Sequence, residues 1–137
     1  MRVVRAAYAG ACYGVQRALD LALKAVEDGG RAYTLGPLIH NPQVVAQLAE
    51  RGVRAVDGVE DVAGAGTVVI RSHGVTPAVK RSVAACGLPL VDATCPHVAR
   101  AQRAAADLAE QGRHVVVVGA IPRWKGSWRV RARPVRR

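Results

Sequence analysis

The chain has 137 residues, room for one ordinary domain and not for two. Half of it is hydrophobic and no apolar run reaches the roughly 18 residues of a transmembrane helix, so a packed core is expected and a membrane partner is not. The net charge of +10 suggests nucleic acid, but residues 123–137 hold seven basic and no acidic groups, which leaves 13 basic against 10 acidic before them, a body close to balance.

Residues 2–8 (RVVRAAY) predict a short strand, with no long apolar stretch leading to a signal-cleavage pattern. AGACYG is a small-residue turn. Residues 14–28 carry Val15, Leu19, Ala22, Leu23 and Val26 at helical spacing, and Gly29 and Gly30 stop that helix. RAYTLG predicts a weak strand, GPLIHN a turn, and PQVVAQLAERG a helix with Pro42 at its first position and Gly52 past its end. VRAV is a short strand and TVVIRS (67–72) a strong β-branched one. TPAVKRSVAACG predicts a helix opened by Thr76 as N-cap and Pro77 in the first turn. LPLVDA (88–93) is a strand, and Thr94, Cys95 and Pro96 lead into the helix HVARAQRAAADLAEQG. HVVVVG (114–119) predicts a final buried strand.

Strand and helix alternate every 25–30 residues or so, which predicts an α/β fold: an open, mostly parallel sheet with helices on both faces. Residues 1–119 form that domain. Residues 120–137 hold both tryptophans and show no period, and are expected to be a basic, irregular, disordered tail. The three cysteines are odd in number and far apart, which argues against a disulfide framework and for a reducing, cytoplasmic setting.

Four residues sit where a strand hands over to a helix: Cys12, His40, His73 and Cys95. Open α/β sheets bind ligands in a crevice at the carboxyl ends of their strands, so these four are expected to share one crevice. A helix start lowers a thiol pKa and favours the metal-binding thiolate. A histidine there can donate to phosphate oxygens. Each residue alone has a plainer reading, as a small packed residue or a turn histidine; two cysteines in equivalent junctions favour a metal or cluster site facing an anionic ligand. Two thiolates alone complete neither a zinc site nor an iron–sulfur cluster. Cys86, near a helix end, is expected to pack as a small hydrophobe. His97 and His114 are expected at the surface. No dinucleotide or P-loop fingerprint is present.

GACYGVQRA, LGPLIHNPQVV, RSHGV and VDATCP, in this order and spacing, resemble the N-terminal third of the 4-hydroxy-3-methylbut-2-enyl diphosphate reductase family, over residues 1 to 119 or so. That family is built of three similar α/β domains around an iron–sulfur cluster. The resemblance implies the fold of one such domain, Cys12 and Cys95 as two of the three ligands of a [4Fe–4S] cluster, and His40 and His73 as binders of the substrate diphosphate. It further implies reductive removal of a hydroxyl group in the non-mevalonate isoprenoid pathway. The products would be isopentenyl and dimethylallyl diphosphate, with ferredoxin or flavodoxin as electron donor. No catalytic residue carries over. The family's third cysteine and the His-Pro-Glu-Val motif after its VVVVG strand have no match in this chain, which is therefore expected to be inactive alone.

The tail has an expected origin. One GC-rich choice of codons for Ala120 to Trp128 is GCC ATC CCG AGG TGG AAG GGA TCG TGG. Read from the third base they spell His-Pro-Glu-Val-Glu-Gly-Ile-Val, so a frameshift near residue 120 and an apparent truncation are expected. The alternative is a non-catalytic α/β binding module whose basic tail takes nucleic acid. The balanced body, with no basic stripe interleaved with aromatics, weighs against it.

Overall fold

A computed structural model describes residues 2–7 and 9–117. Helix α1 (Tyr13–Gly29) leads into β1 (Ala32–Leu35), α2 (Pro42–Glu50), β2 (Val53–Val56), a 3-10 turn (Val59–Asp61), β3 (Thr67–Ile70), α3 (Pro77–Ala85), β4 (Leu90–Asp92) and α4 (Pro96–Glu110). The starts of α2, α3 and α4 each carry a proline in the first turn, where its missing N–H has no partner to lose. Asn41 caps α2 by accepting from the amides of Gln43 and Val44, and Thr76 caps α3 by accepting from that of Val79.

All four strands are parallel, in the order β2-β1-β3-β4. Strands β1 and β3 are buried at every position because helices cover both faces. Side chains alternate accordingly. Ala32, Val53 and Val69 pack with Ala18, Ala22 and Ala25 of α1 and Leu48 of α2. Leu35 and Val68 pack on the other face with Val83 and Val79 of α3. Alanines spaced along one side of α1 let that helix lie close over the sheet. The architecture is the open parallel α/β sheet expected from the alternation of elements.

Three expectations are corrected. Residues 2–7 form no strand, and Val3 and Val4 stand 81% and 74% exposed. Residues 114–117, the described part of HVVVVG, form no strand either, and Val116 and Val117 are exposed. A strand exists only where a neighbour completes its ladder, and neither segment pairs with a described strand. Cys86 does not pack inside: it is the C-cap residue of α3 and is exposed, because the helix end turns it toward solvent. The expected basic tail at 120–137 lies outside the described residues.

Candidate functional site

The strand order reverses between β1 and β3: the chain leaves β1 for β2 on one side, then returns to β3 on the other. Such a switch point opens a crevice at the carboxyl ends of the two strands. The loops leaving those ends carry His40 and His73. Their rings stack there, with centroids 5.7 Å apart and planes inclined by 22°. Gln102 of α4 donates to the His73 carbonyl at 3.1 Å. Ser72, buried, accepts the Cys95 amide on its own carbonyl at 2.8 Å, which ties the loop after β3 to the loop after β4.

Cys12 and Cys95 are the N-cap residues of α1 and α4. Gly14, in the first turn of α1, lies directly against Cys95: a Cβ on Gly14 would sit 2.5 Å from the Cys95 sulfur. Arg17 of α1 reaches the Thr94 carbonyl at 3.4 Å. The start of α1, with exposed Cys12, therefore meets half-buried Cys95 at the same rim as the loops of His40 and His73. His97 and His114 are exposed, as expected.

The strand end before Cys95 is fastened by Asp92. Its carboxylate accepts from Lys80 Nζ at 2.6 Å, from the Thr94 amide at 2.9 Å and from the Thr94 hydroxyl. Burial pulls the Asp92 carboxyl up, but the bonds from Lys80 and Thr94 and the Lys80 charge together outweigh it and hold it below its ordinary value. His73 is lowered from its ordinary value, by burial first and then by the positive charges of His40 and Arg71. Arg71 was not among the residues that the sequence singled out. Its signal was a guanidinium directly after the apolar run TVVI, at a strand's carboxyl end.

Two stacked imidazoles and a guanidinium can donate hydrogen bonds to an anion, and two thiols at helix starts can serve a soft metal. The thiol set falls short of a full metal site. Among the described residues no group of three or more His, Cys, Asp or Glu is arranged to hold a metal ion. Cys12 and Cys95 are fewer than the thiolates an iron–sulfur cluster takes.

A family model described as LytB protein matches residues 3–122. The 4-hydroxy-3-methylbut-2-enyl diphosphate reductase of Citrifermentans bemidjiense is 49% identical over 119 residues, covering 87% of this chain and 42% of the relative. The reductase of a Geobacter species is 48% identical over 119 residues, with the same coverage of 87% and 42%. A solved structure of (E)-4-hydroxy-3-methyl-but-2-enyl diphosphate reductase, described as the terminal enzyme of the non-mevalonate pathway, superposes with a TM-score of 0.72 at 42% identity, covering 81% of this chain and 40% of that one. The chain spans about two fifths of the length of the curated relatives it matches.

Proposed function

Because the chain belongs to the LytB protein family, we propose that it carries one α/β unit of a 4-hydroxy-3-methylbut-2-enyl diphosphate reductase, with that unit's share of the substrate and cluster sites. The observation that carries this reading is the His40–His73 stack at the switch point, on the rim that also bears Cys95 and the start of α1. In this reading the two imidazoles donate to the substrate diphosphate. An anion placed between them works against the burial and the neighbouring positive charges that lower His73 from its ordinary value. The whole reaction would be the reductive removal of a hydroxyl group, yielding isopentenyl and dimethylallyl diphosphate. Ferredoxin or flavodoxin would supply the electrons, in the cytoplasm. Among the described residues no helix is long and apolar enough to cross a membrane.

A [4Fe–4S] cluster would take Cys12 and Cys95 as two of its thiolates, but the donors described here do not complete that group. The chain by itself should show little or no turnover. A frameshift near residue 120 would give the tail its composition, and the family match ends close by, at residue 122.

Titrating inorganic pyrophosphate into the chain, followed by the NMR signals of the histidine rings, tests the anion site. His40 and His73 should shift together and saturate, with His97 and His114 still, and His73→Ala should weaken binding by about tenfold or more. Uniform small shifts of all four histidines would remove the support for a diphosphate site.

A further inference from the structure

Arg71 follows the last residue of β3 and sits between the two loops that carry the histidines. Its Nη1 lies over Gly36, where an added Cβ would come within 3.0 Å of it, and Gly36 holds a φ of +75° that glycine adopts without strain. The Arg71 Nε is buried with no hydrogen-bond partner among the described residues. A charged donor left so is costly, and native proteins leave few of them. Beside it runs a cleft of about 340 Å³ lined by Gly36, Arg71, Val79 and Ser82, with Asp57 and Glu60 on its wall. Neither carboxylate forms an ion pair with Arg71. The guanidinium is thus a cation whose charge reaches His73, with no ion pair of its own among the described residues.

We propose that Arg71 binds the anionic end of the ligand held at the His40–His73 rim. The assignment rests on the diphosphate reading of that rim and adds to it the residue that carries permanent charge there. A guanidinium stays protonated at every working pH, whereas burial and the nearby positive charges hold the His73 imidazole below its ordinary value. Its planar fork also matches two phosphate oxygens at once.

Calorimetric titration of inorganic pyrophosphate into the intact 137-residue chain, at several salt concentrations, tests this. Arg71→Gln should weaken binding by about tenfold or more and flatten its salt dependence, with the thermal melt unchanged. Arg71→Lys should keep the salt dependence and regain only part of the affinity, because the point charge survives and the fork does not. If Arg71→Gln does not fold, Arg71→Lys decides alone: several-fold weaker binding at an unchanged melt supports the assignment, and wild-type affinity overturns it. Pyrophosphate bound equally by the wild type and Arg71→Gln, yet lost in His73→Ala, overturns the role of Arg71 and leaves the histidine site standing. A wild-type chain that takes up no pyrophosphate overturns both.

Discussion

Gly14 shows how one absent methyl group can position a thiol. Replacing a helical glycine by alanine ordinarily stabilises by about 0.5–1 kcal/mol. Here the new Cβ would meet the Cys95 sulfur at 2.5 Å and the Cys95 Cβ at 2.9 Å. Gly14→Ala should therefore destabilise by roughly 1–3 kcal/mol in chemical denaturation, and expose Cys95 to faster modification by a thiol reagent. His73 makes a second prediction. Its folded pKa is lowered, so on acidification below the ordinary 6.5 the unfolded chain takes up a proton that the folded chain resists. The stability contributed by neutral His73 is present above that pH and is lost as pH falls toward the folded value; His73→Gln should flatten the melting curve's pH dependence there. Asp92 works in the carboxylate range. Its stabilisation is present above the ordinary 3.8 and lost as pH falls through its lower folded value. Because Lys80 and Asp92 are both nearly half exposed, Lys80→Met should cost no more than about 1 kcal/mol near neutral pH.

At the scale of elements, the helices divide by how they begin. Asn41 and Thr76 satisfy first-turn amides of α2 and α3, whereas α1 and α4 open at cysteines that make no side-chain cap bond. Asn41→Ala should cost about 1 kcal/mol. The first-turn amides of α1 and α4 should exchange with deuterium faster than those of α2 and α3, and equal rates would count against the distinction. The sequence made these helices legible because their apolar stripes, prolines and cap residues act within one turn. It made β3 legible because TVVI is buried on both faces, which suits an unbroken β-branched run with Thr67 as its one polar member. RVV and HVVV read the same way and are not strands, since pairing decides the matter and no described strand pairs with either. The four junction residues were legible as positions at strand ends. Arg71 and Gly14 were not, because their importance depends on which loop arrives beside them, and only the packed sheet brings Gly36 to one and Cys95 to the other.

For the molecule as a whole, the parallel sheet and the rim are in place, while among the described residues no group of three or more His, Cys, Asp or Glu is arranged to hold a metal ion. Anaerobic reconstitution with iron and sulfide should leave the isolated chain with little stable cluster absorbance and the reductase assay near background; a full, oxygen-resistant spectrum would mean that the donor set is larger than Cys12 and Cys95. Nucleotide sequencing across codons 115–137 should reveal the displaced His-Pro-Glu-Val reading. An uninterrupted frame without it would remove the frameshift account. The sheet has one more effect on how the chain behaves in a tube. Strand β4 is three residues long, has a described ladder neighbour only in β3, and leaves Leu90 39% exposed; Val3, Val4, Val116 and Val117 are exposed as well. Bare strand flanks and solvated valines are what colliding chains stick by. Sedimentation should thus depend on concentration and a fluorescent apolar dye should bind, and a lysine at Leu90 should lessen both.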